Sequence, residues 1–259
     1  MYKFIKADLD KNVYKIKLNR PEVYNAFNEE MLYELQDAFK TAAENSEIRC
    51  VSITGEGKAF CSGQDLKDFA SRNSTFKEAL QKKYNPLVRQ ITSLPKPVIC
   101  GINGVAAGAG LSLALACDYR IAVESATMIE IFINIGLVPD SGSSFTLPRL
   151  VGYAKAFEMC VNADKVTAKE AFNIGLVNKV VSNQIVLNKL LDITCKNFAS
   201  KPTKAIGMIK SLLNKSFQST LDDILELEAE YQNIGGETYD YKEGLNAFLE
   251  KRKAVFKGN

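Results

Sequence analysis

The sequence contains no histidine among its 259 residues. This absence excludes a catalytic system built on histidine with serine or cysteine, and it excludes a zinc site with histidine ligands. Any general base must therefore be a carboxylate, a lysine, a tyrosine or a cysteine. No apolar run approaches the roughly 20 residues that span a bilayer, and residues 1–8 lack the apolar segment of a secretory signal. We expect a cytoplasmic protein that does not contact a membrane.

Charge of one sign is not in excess either. The formal net charge is +3, and lysine and arginine are mixed with aspartate and glutamate along the chain, which does not favour a nucleic-acid partner. The six cysteines include no Cys-x-x-Cys pair and mostly have apolar neighbours, so we expect small buried thiols rather than disulfides or metal ligands. Neither a metal nor a redox cofactor is expected.

The apolar periodicity predicts an α/β protein. Strands at 13–18 and 50–54 flank an amphipathic helix that begins after an N-cap at Asn28 and ends at about Asn45. Further strands are predicted at 98–102, 119–123 and 176–181. Helices are predicted at 75–92, 153–162, 167–173, 182–199, 202–215 and 220–234, and a last helix, after a joint at 235–236, ends near Phe256. Residues 1–200 are therefore predicted to form the core, and residues 201–259 a helical C-terminal region.

The most informative stretch is 98–118, which begins as a buried strand and passes through a run of glycine and alanine into an apolar helix. Because side chains are nearly absent at the turn, a ligand could approach the backbone closely. The N-terminus of the following helix offers free N–H groups and a positive dipole end, which suits an anion or an oxyanion. The alternative is that small residues serve only the close packing of helix on sheet.

Four segments in the same order resemble the crotonase superfamily, also called the enoyl-CoA hydratase/isomerase family. They are Asn19-Arg20-Pro21 with Asn25-Ala26-Phe27, the loop 60–66, the central segment 103–110, and the Gly-Leu-Val-Pro-Asp-Ser-Gly segment 136–142. The tail 244–252 also resembles the last helix of the family. Four motifs in the correct order are far more specific than any single glycine run.

The resemblance implies a spiral core of β-β-α turns, a helical C-terminal region used in trimerisation, and an acyl-CoA thioester as ligand. It also implies an oxyanion hole made of the backbone N–H groups of Gln64 and Ala109. In such a hole, two fixed donors stabilise the negative charge of a thioester enolate. The second donor coincides with the helix N-terminus at which the residues themselves indicate an anion site.

The resemblance also distinguishes between the reactions that members of the family catalyse. Hydratases of the family use two glutamates, at positions where this chain has Ser112 and Phe132. Asp140 stands where the isomerases of the family carry a single catalytic carboxylate, and a base in an apolar pocket gains basicity. Segments 139–142, 225–232 and 240–244 resemble most the 1,2-epoxyphenylacetyl-CoA isomerases and the Δ3,Δ2-enoyl-CoA isomerases. The alternative role for Asp140 is to cap the following helix through the N–H of Gly142 or Ser143.

Positions that match contacts to the CoA ester in the family form a second set. They are Val23, Ala59, Ser62, Gln64, Asp65, Leu66, Gly108, Phe132, Phe248 and Lys251. Lys251 matches a lysine that meets CoA phosphates, often across a subunit boundary, although 250–253 also has the composition of a solvated helix face. Glu22 stands where the family often has a basic residue. Asp65 and Asp118 are predicted chiefly to serve turns or helix ends.

We therefore expect an isomerase that shifts a double bond of an unsaturated CoA thioester, in fatty-acid or phenylacetate degradation. Coenzyme A enters as part of the substrate, and a homotrimer or a dimer of trimers is expected. The alternatives are an enoyl-CoA hydratase, an acyl-CoA dehalogenase with an attacking aspartate, an enzyme that expands an epoxide ring, and a non-catalytic acyl-CoA-binding subunit.

Overall fold

The computed structural model describes residues 2–71 and 75–259, and its strands form two sheets. The strands are β1 (Ile5–Asp10), β2 (Val13–Leu18), β3 (Cys50–Gly55), β4 (Ala59–Cys61), β5 (Val98–Ile102), β6 (Val105–Ala107), β7 (Tyr119–Val123), β8 (Thr127–Ile129), β9 (Val166–Thr167) and β10 (Lys179–Val181). The larger sheet has the order β1-β2-β3-β5-β7-β10, and the smaller one has the order β4-β6-β8-β9.

Helices cover the sheets and form the C-terminal part of the chain. They are α1 (Glu29–Glu44), α2 (Leu66–Ala70), α3 (Phe76–Ala79), α4 (Asn85–Ser93), α5 (Ala109–Ala116), α6 (Ser143–Val151), α7 (Tyr153–Asn162), α8 (Ala168–Asn173), α9 (Gln184–Ala199), α10 (Thr203–Ser216), α11 (Leu221–Gly236) and α12 (Tyr239–Leu249). Pro21–Val23 and Ile131–Ile135 are 3-10 turns, and Leu80–Tyr84 is a π-helical turn. The predicted α/β class is confirmed.

The connection pattern places the short sheet where a ligand site can form. β3 is followed by β4, β5 by β6, and β7 by β8, so each pair contributes one strand to each sheet. β4, β6 and β8 pair in parallel, and their carboxyl ends therefore lie at the same edge. The loops that follow these three strands carry Gln64, Ala109 and the segment leading to Asp140. Parallel pairing thus brings together residues that are far apart in the chain.

Helix α1 shows how the sequence dictates a local element. Asn28 is its N-cap, and the side-chain oxygen of Asn28 accepts a 3.0 Å hydrogen bond from the N–H of Met31, as predicted. Its buried face consists of the residues that the helical spacing indicates: Met31, Leu32, Leu35, Ala38, Phe39 and Ala42. The side chain of every one of these packs into the core. Helix α5 is buried along its whole length, as its apolar sequence predicts.

The ends of several elements differ from the prediction. The last helix ends at Leu249 rather than near Phe256, because the tail folds back and the N–H groups of Lys257 and Gly258 donate to the carboxylate of Asp240. Gly235 and Gly236 belong to α11 and do not separate two helices. The strand predicted at 176–181 is reduced to β10, and β1 was not predicted.

An ion pair joins the C-terminal helices to the core. Lys210 of α10 donates to Asp118 at 2.8 Å and to the carbonyl oxygen of Ile91, while Asp118 accepts from the N–H of Val98. The carboxylate of Asp118 therefore joins β5 to α10 and, among the described residues, makes no hydrogen bond with α5, so the predicted helix-end role is wrong. The six cysteines are free thiols, and all except half-buried Cys160 are buried. Within the described ranges, no helix has the length and apolar character needed to cross a bilayer.

Candidate active site

Two loops that are more than 40 residues apart in the chain meet at glycines. A methyl group on Gly63 would lie 2.9 Å from the carbonyl oxygen of Ala107 and 3.6 Å from the nitrogen of Ala109. A methyl group on Gly110 would lie 2.4 Å from the carbonyl oxygen of Cys61. Because real side chains do not approach backbone so closely, only glycine allows this contact. The backbone after β4 therefore lies directly against the N-terminus of α5.

The N–H groups of Gln64 and Ala109 are both available at this junction. Phe27 pairs with Gln64 by donating to the carbonyl oxygen of Gly63 at 2.7 Å and accepting from the N–H of Asp65 at 2.9 Å, so the flanking groups are used. Ala109 is the first residue of α5, whose first-turn N–H groups have no partner within the helix. Within residues 2–71 and 75–259, neither N–H has a hydrogen-bond acceptor. Free amides at a helix N-terminus suit an oxyanion.

Arg20 fixes the loop that carries Gln64. Its guanidinium lies 3.0 Å from the carboxylate of Asp65, and the two side chains are only 13% and 15% exposed. Arg20 also donates to the carbonyl oxygen of Ala26 at 2.6 Å. Asp65 in turn accepts hydrogen bonds from the N–H groups of Lys67 and Asp68 and is the N-cap of α2. The predicted turn and capping role of Asp65 is confirmed, while its contact with CoA stays a prediction.

Replacing Asp65 by alanine will lower the free energy of unfolding by about 2 kcal/mol at neutral pH, because a largely buried guanidinium loses its partner and α2 loses its cap. Burial by itself raises the pKa of Asp65, but the Asp68 amide, the Arg20 guanidinium and the Lys67 amide outweigh it and lower that pKa. A lowered pKa stabilises the fold above about pH 4, and this contribution is lost as the pH falls through the lowered value. Urea unfolding at several pH values measures both effects.

The control for this measurement is Asp8→Ala, which removes an exposed carboxylate of β1. It should leave the free energy of unfolding within about 0.5 kcal/mol of the parent. If Asp65→Ala and Asp8→Ala have the same free energy of unfolding at neutral pH, the ion pair between Arg20 and Asp65 does not stabilise the loop.

Asp140 lies in the loop between the second 3-10 turn and α6. One of its carboxylate oxygens accepts a 2.8 Å hydrogen bond from the hydroxyl of Ser141. Burial raises the pKa of Asp140 above its ordinary value, and the bond from Ser141 opposes that rise only in part. Helix α6 has Gly142 as its N-cap and no side-chain capping bond, while the N–H of Ser143 donates to the backbone oxygen of Asp140. The helix-capping alternative is therefore wrong.

Two further ionisable groups face Asp140, and neither was identified from the sequence. Glu130 is fully buried, and burial raises its pKa to about 7; the hydroxyl of Ser143 lowers that pKa and the charge of Asp140 raises it. Tyr84, buried at the end of the π-helical turn, has its pKa raised by burial first and then by the charges of Asp140, Cys61, Asp68 and Asp65. In the sequence, Glu130 only interrupts an apolar run, and no local signal distinguishes it.

The two positions that the resemblance matches to hydratase glutamates hold groups that cannot act as carboxylates. Ser112 is buried in α5, and its hydroxyl donates to the carbonyl oxygen of Gly108 at 3.2 Å. Phe132 is buried, and its ring would lie 3.7 Å from a methyl group on Gly108, beside the entrance to α5. Gly108 itself has a φ of 51°, which favours glycine. The wall beside Ala109 is therefore apolar.

The residues predicted to contact the CoA ester divide into two groups. Val23, Ser62 and Ala59 lie together: the hydroxyl of Ser62 is 3.4 Å from the carbonyl oxygen of Val23, and the side chain of Asn25 joins this loop to Ala59. Leu66, half exposed, begins α2 directly after Asp65. Phe248 and Lys251 lie instead at the end of α12, and no hydrogen bond, ion pair or ring contact of the described residues joins them to the site.

Comparison with known proteins places this geometry in a family. The model of the enoyl-CoA hydratase/isomerase family matches residues 8–259. The 1,2-epoxyphenylacetyl-CoA isomerase of Escherichia coli is 40% identical over 265 aligned positions, which cover 100% of each chain. The crotonyl-CoA hydratase of Syntrophomonas wolfei is 34% identical over 98% of each chain.

Solved structures agree with the sequence comparison. The crystal structure of an enoyl-CoA hydratase from Bacillus anthracis superposes with a TM-score of 0.94 at 35% identity, covering 99% of this chain and 100% of that one. The predicted crotonase-type fold, with its β-β-α core, is therefore confirmed. Relatives with isomerase names and relatives with hydratase names are both present. By its fold, its full-length match and its paired free amides, the chain belongs to the enoyl-CoA hydratase/isomerase family.

Proposed function

We propose that the protein is an isomerase of unsaturated acyl-CoA thioesters and that Asp140 moves a proton between two carbons of the acyl chain. The observation that supports this best is the combination of two free amides with one carboxylate of raised pKa. The name of the Escherichia coli relative also points to an isomerase. The absence of a carboxylate at Ser112 and Phe132 disfavours the two-glutamate route to hydration.

In the proposed reaction, the thioester oxygen accepts hydrogen bonds from the N–H groups of Gln64 and Ala109. Asp140 removes a proton from the acyl chain, and the electron pair of that C–H bond moves toward the carbonyl carbon to form an enolate. The two amides stabilise the enolate oxygen more than the neutral carbonyl oxygen, which lowers the barrier. Protonated Asp140 then returns the proton to a different carbon, and the double bond changes position. One carboxylate suffices because it acts first as base and then as acid.

The proposed location of coenzyme A follows the cluster beside Gln64. Val23 and Ser62 are joined by a hydrogen bond, Ala59 is bonded to Asn25 of the same loop, and Leu66 begins α2 two residues after Gln64, so we place the ester beside these residues. Phe248 and Lys251 are proposed to complete the ester site from another subunit, since Phe248 is 80% exposed within a single chain. A homotrimer, or a dimer of trimers, built through residues 201–259 is the assembly that this proposal requires.

The proposed function is tested by incubating the full chain with straight-chain 3-enoyl-CoA esters and with CoA esters derived from aromatic acids. Isomerisation will raise the absorbance of the conjugated thioester without changing the mass, and in deuterated water the product will carry deuterium. The saturated ester of the same chain length is the matched control. A product heavier by about 18 mass units identifies a hydratase and contradicts the proposal. Tight ester binding without any proton exchange indicates a non-catalytic binder.

A further inference from the structure

We infer that Glu130 and Ser143 form a buried positioning pair that sets the distance between the N–H of Ala109 and the carboxylate of Asp140. The inference rests on the proposed function, because it concerns how the base is held against the oxyanion site. Neither residue is assigned a contact with the substrate. Their role is to act through the backbone on either side of the site.

The pair is defined by a single short hydrogen bond in the interior. The hydroxyl of Ser143 lies 2.5 Å from one carboxylate oxygen of Glu130, and both side chains are fully buried. The second carboxylate oxygen of Glu130 is buried and has no partner among the described residues. Buried polar groups nearly always have a hydrogen-bond partner, and for the carboxyl group of Glu130 that partner is Ser143. An apolar side chain would fill this buried space at a lower cost in free energy. We therefore assign the carboxyl group a role beyond packing.

Backbone hydrogen bonds link each partner of the pair to one half of the site, Glu130 through its neighbour Ile129 and Ser143 directly. Glu130 directly follows Ile129 at the end of β8, and the carbonyl oxygen of Ile129 accepts a 3.0 Å bond from the N–H of Gly108, the residue before Ala109. Ser143 is the first residue of α6, and its N–H donates to the backbone oxygen of Asp140 at 3.0 Å. The side-chain bond between them therefore connects the oxyanion loop to the loop of the base.

Burial is the largest influence on the pKa of Glu130, and three side chains interact with its carboxyl group. They are Ser143 from α6, Asp140 from the preceding loop and Cys160 from α7. Burial raises the pKa of the Cys160 thiol to about 11, and the charge of Glu130 adds to that rise, so the thiol is neutral. Burial raises the pKa of Glu130 to about 7, and the charge of Asp140 adds to that rise. The two carboxyl groups therefore interact, and Glu130 is mostly protonated at pH 6.

Two substitutions distinguish the effect of the hydrogen bond between Ser143 and Glu130 from the effect of the charge of Glu130. Ser143→Ala removes the bond, whereas Glu130→Gln keeps an acceptor for Ser143 and removes the ionisation. We expect Ser143→Ala to lower kcat by about 10- to 100-fold with KM nearly unchanged, because the base is displaced while ester binding persists. Glu130→Gln should stay within about 3-fold of the parent at pH 6, where Glu130 is protonated. The control is Thr146→Val, which removes another hydroxyl bond of α6, to the carbonyl oxygen of Gly142.

Either of two results overturns the inference. In one, Ser143→Ala has the same kcat as Thr146→Val; in the other, Glu130→Gln at pH 6 loses as much kcat as Ser143→Ala. A substrate-free measurement separates this from failure of the proposed function. In a protein labelled at the glutamate carboxyl carbons, Asp140→Asn should lower the NMR titration midpoint of Glu130, and Ser143→Ala should raise it. If no isomerase turnover is found, these two shifts support the pair without the isomerase; if the midpoint stays constant in both variants, the pair is refuted.

Discussion

Replacing Asp140 by asparagine will lower the turnover of unsaturated CoA esters by about 10³-fold, because the carboxylate is the sole base in the proposed proton transfer. The amide of asparagine has nearly the same shape and can still accept the hydrogen bond from Ser141. We therefore expect the affinity for a non-reacting acyl-CoA to change by less than about 3-fold, because the free amides of Gln64 and Ala109 are untouched. Steady-state kinetics and calorimetric titration with a saturated ester measure the two quantities.

The pH dependence of the parent supports the same assignment. Burial raises the pKa of Asp140 above its ordinary value, so kcat/KM should fall on the acid side at a pH above about 4, as the base becomes protonated. Asp140→Glu keeps a carboxylate but displaces it by one methylene, and it should retain more activity than Asp140→Asn. The matched control is Asp164→Asn, at an exposed aspartate after α7. Turnover by Asp140→Asn close to that of Asp164→Asn would remove Asp140 from the mechanism.

The sequence correctly predicted those helices that are specified by residues within or next to the helix itself. The N-cap at Asn28 and the spacing of apolar residues specify α1, and a continuous apolar run specifies α5. The end of the last helix was misplaced because what terminates it is distant: the tail bonds to Asp240, some 17 residues earlier in the chain. No periodicity reports such a contact.

The residues of the candidate site also fall into those that local sequence could indicate and those that depend on distant contacts. The helix N-terminus at Ala109 could be recognised from its own residues, because glycine and alanine before an apolar helix leave free N–H groups. The approach of Gly63 to Ala109 depends on the parallel pairing of β4 with β6, and only the family resemblance indicated it before the structure did. Glu130 was missed because its partner Ser143 lies 13 residues further along the chain, on another element.

A methyl group at Gly110 will separate the two halves of the oxyanion site. In Gly110→Ala the new Cβ would lie 2.4 Å from the carbonyl oxygen and 2.8 Å from the carbonyl carbon of Cys61, so backbone must move. A shift of this loop displaces the N–H of Gln64 from that of Ala109, and a misplacement of about 1 Å costs about 100-fold in rate. We expect kcat/KM to fall by about 100-fold and the free energy of unfolding to fall by about 1–3 kcal/mol.

The control for this substitution is Gly236→Ala in α11, where an added methyl group meets no atom within 4 Å. Because alanine favours a helix more than glycine does, this variant should be as stable as the parent or slightly more stable. Comparing kcat/KM with urea unfolding at a temperature where both variants are folded separates a displaced amide from a loss of folded protein. If Gly110→Ala loses stability but keeps kcat/KM, the contact between Cys61 and α5 serves only packing, and the two amides do not act as one oxyanion site.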